Sequence, residues 1–496
     1  MIGGGLTMTI AIANRGEVAV RIIRACQELG CKTVLLHSDV DVKTRAYRMA
    51  DKTVCIGGSS SAESYLNIPA VIDGAIAGGA KAIHPGFGFL SENADFAEAC
   101  LRAGLHFIGP SAKAIRQLGD KVNCKQLAQT LGLPLIPGYQ GEKQDVPSLL
   151  KEVERIGLPV MVKAAAGGGG RGMKMIRSMA DAGELLESAQ REAQAAFGSP
   201  KVFLEKLLDR AKHIEFQIFG DASGRVVHIF DRECSVQRRH QKIIEEALST
   251  SLTLDLRRKM GEAACALAQA ANYKGAGTVE FLLQDDLFYL LEVNTRLQVE
   301  HPVTEEVMGV DLVKAQILTA MDQPVFGPDQ MLVPRGHAIE CRIYAENPYL
   351  GGVPSTGKLG MVEWPEGARR RFEYGFEEGD EVTAYYDSMI AKVIVWDETR
   401  IRAIQKLDRV LADSIVFGVQ TNIPFLRKII ADPDYIANRV TTRWVDDKHS
   451  QPLAIPQMNE RQKKVFELAK KRYVQPVNAE GNAKEASVFS NYWRTL

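Results

Sequence analysis

The chain has 496 residues, 46% hydrophobic and 25% charged, with 61 basic side chains balancing 61 acidic ones. This length supports about three domains with full cores, and the even charge balance argues against the broad basic footprint of a nucleic-acid binder. No apolar run approaches the ~20 residues of a membrane helix, and the start MIGGGLTM lacks the basic and long apolar stretches of a signal peptide.

Met8 directly precedes the first strand-like run, so residues 1–7 read as an upstream start or an added remnant. The first hundred residues alternate short apolar runs with helical patterns. TIAIA (9–13), KTVLLHS (32–38), KTVCIG (52–57), KAIHPG (81–86) and HFIGPS (106–111) read as strands. EVAVRIIRACQELG (17–30) and NADFAEACLRAG (93–104) read as helices stopped by Gly30 and Gly104. Repeated βα units predict a parallel sheet. The first turn, NRGE, lacks G-x-G-x-x-G, which leaves a dinucleotide site and a nicotinamide oxidoreductase poorly supported. Residues 119–134 read as a helix, and a smaller βαβ-like stretch follows: the strand PVMVKAA (159–165), a glycine loop, a helix around 180–197 and the strand KVFLEKLL (201–208). Residues 213–320 are a mixed block and 326–336 a boundary. Alternating strands resume at 337–343 and 385–396, and the segment after about 449 reads as a helix and loose tail. No internal repeat is found. The eight cysteines, Cys26, Cys31, Cys55, Cys100, Cys124, Cys234, Cys265 and Cys341, are scattered without a CxxC. Neither a disulfide framework nor a zinc site is expected; most read as small core residues of a cytoplasmic protein, and for Cys234, beside a polar motif, core packing is favoured over a reactive thiol.

KAAAGGGGRGMKM, residues 163–175, poses three alternatives. Glycines admit close approach of backbone N–H groups to phosphate oxygens and permit positive φ, so a strand feeding this loop suits triphosphate binding. A flexible turn is the plainer alternative. The Met173-Lys174-Met175 triplet mimics a biotin attachment site, but that lysine belongs on a hairpin tip in a small separate domain, so no covalent biotin is expected here.

The segment 275–305 reads as a β-hairpin turning near Asp285-Asp286. After the turn, Glu292, Asn294, Arg296, Gln298 and Glu300 follow at spacing two, which in an extended chain aligns all five on one face. A solvated polar face is the commoner fate of such alternation, but two carboxylates, an amide and a guanidinium after an apolar lead-in suit a site wall. Glu280, on the preceding strand, shares a face with Glu292 only if the hairpin has an odd loop or a bulge. We therefore expect one of these, with Glu280, Glu292 and Asn294 as hard oxygen ligands for magnesium. Arg238, Arg239, His240 and Lys242 form one short basic stretch, and Lys121 and Lys163 stand near a helix start and the glycine loop. Lysines, magnesium and backbone amides together suit phosphoryl transfer.

IANRGEVAVRIIRA, HPGFGFLSEN, FIGPS, GDK, KAAAGGGGRGM, HIEFQI, RECSVQRRHQKIIEEA, GAGTVEF, EVNTRLQVEHPVTE, GHAIECRI and YYDSMIAKVIVW occur in this order. Over residues 9–447 the chain resembles the biotin carboxylases, ATP-grasp subunits or domains of biotin-dependent acyl-CoA and pyruvate carboxylases. The resemblance implies an α/β fold: a Rossmann-like N-terminal domain (1–118), an ATP-grasp domain (119–335) with a glycine-loop lid (about 135–208), a β-rich C-terminal domain (336–448) and a tail (449–496). It also implies a reaction, in which ATP phosphorylates bicarbonate to carboxyphosphate and the carboxyl group passes to N1′ of biotin. By motif, Lys121, Lys163, Gly169, Gly170, Glu205, Lys206, Leu208, His213, Gln237 and His240 resemble nucleotide contacts, with Glu280 and Glu292 also at the nucleotide. Glu280, Glu292 and Asn294 resemble ligands for Mg²⁺ or Mn²⁺. Lys242, Arg296, Gln298, Val299 and Glu300 resemble the bicarbonate holders, Glu300 the base, and Arg342 the residue that stabilises the biotin enolate. The implied cofactors are ATP and the metal, with biotin arriving as a substrate on a carrier protein. The implied partners are that carrier, a carboxyltransferase and a second copy of the chain, with no nucleic acid and no membrane. Two features depart from the family: Gly352-Val353 in YLGGVPSTG, where a Phe-containing loop is usual, and the 449–496 tail. The rival readings are another ATP-grasp ligase, such as a carbamoyl-phosphate or amino-acid ligase, and a non-catalytic nucleotide-binding scaffold.

Overall fold

A computed structural model describes residues 8–164, 174–326 and 332–455, with positions 460, 463–464 and 467. Two compact units emerge. Unit 1 gathers Met1–Cys124, His213–Glu280 and Glu292–Leu496, and unit 2 gathers Lys125–Lys212 and Phe281–Leu291.

Unit 1 begins with a five-stranded parallel sheet of β1 (Thr9–Ile12), β2 (Lys32–His37), β3 (Lys52–Cys55), β4 (Ala82–His84) and β5 (His106–Phe107), in the order β3-β2-β1-β4-β5. This is the doubly wound order, which makes the ends of its strands a place for ligands. The helix Gly16–Glu28 follows β1 and buries Val18, Val20, Ile22 and Ile23, together with Glu17 and Arg21. It ends just before Gly30, whose φ of 74° only glycine adopts freely. The helix Ala94–Arg102 starts where Asn93 accepts a hydrogen bond from the Phe96 amide.

Unit 2 holds β6 (Gly138–Tyr139), β7 (Val160–Ala164), β8 (Lys174–Ile176) and β9 (Val202–Lys206) in the order β6-β9-β7-β8. The helices Val146–Ile156 and Met179–Phe197 supply Leu149, Val153 and Leu186 to its core, against Val160, Val162 and Leu204. The βαβ expectation fails here: β7 pairs antiparallel with both β8 and β9. The short strand β8 reverses the chain before the helix begins, so β9 returns in the opposite sense. Residues 165–173, including Gly169 and Gly170, lie outside the described residues, as do residues 1–7 and most of the tail.

A larger sheet continues with β10 (Lys212–Gly220), β11 (Val226–Arg238), β12 (Gln241–Ala247), β13 (Gly275–Gln284), β14 (Leu287–Asn294) and β15 (His337–Tyr344). Its order is β14-β13-β10-β11-β12-β15, followed by the strands Met389–Asp397 and Arg370–Tyr374. Ile339, Ile343, Val393 and Val395 pack with Leu407 and Leu411 of the helix Arg400–Asp413. Among the described residues no helix is long and apolar enough to cross a membrane.

Candidate active site

Strands of the large sheet deliver charged side chains to one point because register places them opposite one another. Glu215 on β10 faces Arg232 on β11, Gln237 faces Lys242 across the turn, and Glu245 on β12 faces Glu340 on β15. The Lys242 ammonium is the hub. It donates to Glu215 Oε2 at 2.6 Å, to Glu280 Oε1 and Glu300 Oε1 at 2.8 Å each, and to Gln298 Oε1 at 3.3 Å. Asn294 Nδ2 and Gln298 Nε2 donate to the same Glu280 oxygen at 2.8 and 2.9 Å. Arg296 Nη2 donates to Asn294 Oδ1 at 3.0 Å, and its Nε to Glu92 at 2.8 Å. Arg342 joins Glu300 Oε2 at 3.1 Å and Glu245 Oε1 at 2.6 Å. His213 Nε2 lies 3.0 Å from Glu280 Oε2, and Gln237 bonds the other ring nitrogen at 2.9 Å.

Four buried carboxylates, Glu215, Glu245, Glu280 and Glu300, thus meet three permanent cations, Lys242, Arg342 and Arg232. Burial pushes the Glu300 carboxyl up, but Lys242, Arg342 and Arg232 outweigh it and hold it well below the usual carboxylate range. Burial likewise acts against the ionised form of Glu280, and Lys242 and His213 overcome it. Burial also dominates at Glu245, where Arg342 opposes and Glu300 adds to it, leaving its pKa at about 7. Lys242 is driven well above its usual value; its three carboxylates more than offset desolvation. The trio His213, Glu215 and Glu280 could hold a cation; the ammonium of Lys242 already bonds its two carboxylates.

The hairpin requires a correction. Its turn is two residues, Asp285 and Asp286, at φ of 50° and 62°, so of the two expected alternatives, an odd loop or a bulge, the odd loop is absent. A regular ladder from that turn sets Glu280 opposite Leu291 and turns Asn294 to the other face. The Asn294–Glu280 hydrogen bond therefore requires the returning strand to leave regular alternation before Asn294. β14 also ends at Asn294, so Arg296, Gln298 and Glu300 reach the cluster from an irregular segment and not from one long strand. Glu292, partly exposed, pairs with Lys121 at 3.1 Å.

The basic stretch is divided by a turn at Arg239-His240. Lys242 enters the cluster, Arg238 pairs with Glu346 at 3.3 Å, and His240 is exposed in the turn. In unit 2, Lys163 and Lys125 both pair with Glu205, Lys206 donates to the carbonyls of Gly157 and Leu158, and Leu208 follows β9. Lys174 pairs with Glu192 at 2.5 Å. Sequence reasoning missed Glu215, Arg232, Glu245 and Glu92 as members of the cluster. The spacing of His213, Glu215 and Gln217 was a usable signal for the first; the others depend on cross-strand register.

Beside the cluster, a cavity of about 500 Å³ is lined by Arg15, Phe87, Phe89, Val299, Arg342 and Tyr386, among others.

Three family models match: "Biotin carboxylase, N-terminal domain" over residues 7–115, "Carbamoyl-phosphate synthase L chain, ATP binding domain" over 120–325 and "Biotin carboxylase C-terminal domain" over 340–447. A biotin carboxylase of Nostoc sp. is 47% identical over 439 residues, covering 88% of this chain and 98% of the relative. The alpha subunit of mitochondrial methylcrotonoyl-CoA carboxylase from Dictyostelium discoideum is 46% identical over 90% of this chain, which spans 64% of that subunit's length. Among solved structures, the biotin carboxylase domain dimer of Hydrogenobacter thermophilus 2-oxoglutarate carboxylase, in complex with MgADP, ADP and bicarbonate, superposes with a TM-score of 0.83 at 41% identity, over 90% of this chain and 99% of that one.

Proposed function

The chain belongs to the biotin carboxylase family, and from that premise we propose that it carboxylates biotin on a carrier protein, using ATP and bicarbonate by way of carboxyphosphate. It is an ATP-dependent ligase with the ATP-grasp fold. The observation that carries the site assignment is the convergence of Glu280, Gln298 and Glu300 on Lys242, with Arg342 joining Glu300 to the wall of an aromatic-lined cavity.

Bicarbonate is a weak nucleophile that improves on losing a proton, and Glu300 is the carboxylate placed to take it. Lys242 and Arg342 keep Glu300 ionised, the form a base requires, but they also depress its proton affinity. Bicarbonate and the ureido oxygen of biotin carry negative charge that competes for those same cations. Each contact withdrawn from Glu300 raises its proton affinity when substrate is present. Arg342, always charged, lines the cavity and would stabilise charge on the ureido oxygen while N1′ forms a bond to the carboxyl carbon of carboxyphosphate, the C–O bond to phosphate breaks, and the departing phosphate takes the N1′ proton. The aromatic walls suit the fused rings and exclude water from a labile mixed anhydride.

Glu280, Glu292 and Asn294 offer hard oxygen donors, and Glu280 and Glu292 are now neutralised by Lys242 and Lys121; this donor chemistry fits magnesium. Bound with ATP, the metal supplies charge neutralisation of the triphosphate. Lys121, Lys163, Glu205, Lys206, Leu208, His213, Gln237 and His240 are the proposed nucleotide contacts, with Gly169 and Gly170 proposed from their motif. Arg296, Gln298 and Val299 complete the bicarbonate site. The proposed partners are a biotin carrier, a carboxyltransferase and a second copy of the chain, and the eight free cysteines suit a reducing cytoplasm. Purified chain should cleave MgATP in a bicarbonate-dependent reaction that free biotin stimulates. No stimulation by biotin would favour a different ATP-grasp ligase.

A further inference from the structure

Lys392 lies on the strand Met389–Asp397, opposite Arg342 in the ladder, and its side chain is fully buried. A buried ammonium costs several kcal/mol unless it is paired and hydrogen-bonded, so its contacts identify its role. Its Nζ donates to the Val299 carbonyl at 2.6 Å, lies 3.4 Å from Glu17 Oε1, and sits 5.9 Å from the centre of the Phe87 ring. Three distant stretches of unit 1 meet at this one cation: a C-terminal strand, the helix Gly16–Glu28 after β1, and the segment that leads into the site. Val299 is one peptide bond from Glu300, which caps the helix His301–Met308 at φ −83° and ψ 11°.

We infer that Lys392, with Glu17 beside it, is a positioning residue for carboxyl transfer: it clamps the Val299–Glu300 peptide so that the Glu300 carboxylate meets Lys242 and Arg342. Val299 and Glu17 also line the cavity that ends at Arg342, so the same clamp shapes its inner wall. Losing the ammonium would leave the Val299 carbonyl without its donor and free the peptide to rotate. A displacement of ~1 Å at a reacting group lowers rate by about 100-fold. The inference rests on the function proposed above.

The test uses the full chain as Lys392→Met, Lys392→Met with Glu17→Met, and Lys392→Arg. The double variant replaces the two buried polar side chains by apolar groups of similar size, a change often neutral for stability. In biotin-stimulated ATP cleavage, both neutral variants should lose about 10-fold or more in kcat with KM for ATP within about two-fold, and Lys392→Arg should recover most of the loss. The inference is overturned if a folded neutral variant keeps wild-type kcat, if kcat falls only in step with melting temperature, or if neither neutral variant folds. Wild-type chain that biotin does not stimulate would overturn the proposed function, and this inference with it, before any variant is compared.

Discussion

Glu300 is buried between two cations, Lys242 and Arg342, and its chemistry follows from that position. Glu300→Gln keeps the shape and some hydrogen bonding but removes the base. Biotin carboxylation should fall by a factor on the order of 100 or more while ATP affinity, measured by nucleotide titration, stays near wild type; near-normal turnover would refute the role. Glu17 behaves oppositely. Burial pushes its carboxyl up to about 7, against the pull of Lys392 and with the help of Glu373. The native chain therefore holds a proton that the unfolded chain releases above its ordinary value of 4.5. The stability from this neutral form is complete below that value and is lost as pH rises through about 7. Glu17→Gln cannot lose it, so melting temperatures followed from about pH 5 to about pH 8 should shift in favour of the variant as pH rises. A constant difference between the two proteins would contradict this.

At the scale of elements, close backbone approach matters as much as charge. Gly375 follows the strand Arg370–Tyr374, and a Cβ built there would lie 2.5 Å from the Gly16 carbonyl carbon and 2.6 Å from the Glu17 amide nitrogen. Gly375→Ala must push the start of the helix Gly16–Glu28 away from the sheet, carrying Glu17 with it. We expect a loss of about 1–3 kcal/mol in denaturant unfolding, and no change in the midpoint would show that the helix start yields freely. The site hairpin illustrates the limit of local pattern. The place of its turn was legible in Asp285-Asp286, because Asp tolerates positive φ, but the two-residue length was not. An odd loop or a bulge was expected from Glu280 and Glu292; which of the two occurs, and where, was not legible, since it depends on what Glu280 and Lys242 offer from neighbouring strands.

At the scale of the molecule, each of the two units carries its own part of the proposed chemistry. Unit 2 holds Lys163 with Glu205, and unit 1 holds the Lys242–Glu300–Arg342 cluster. Lys163→Gln should raise KM for ATP by about 10-fold with a smaller change for bicarbonate, whereas Arg342→Ala should cut biotin-dependent turnover far more than ATP affinity. Equal losses in both variants, read from steady-state kinetics, would deny this division. The alternating βα pattern of residues 9–111 was sufficient to specify the parallel sheet, because each strand and helix buries its apolar face locally. The charged residues of the site also stood out in their motifs, from Lys242 to Glu300. Which carboxylate each cation meets, and the recruitment of Glu215, Arg232, Glu245 and Lys392, were decided by strand register across the large sheet. That information lies in contacts between residues tens to hundreds of positions apart, where burial converts a side chain's charge into a demand for one particular partner.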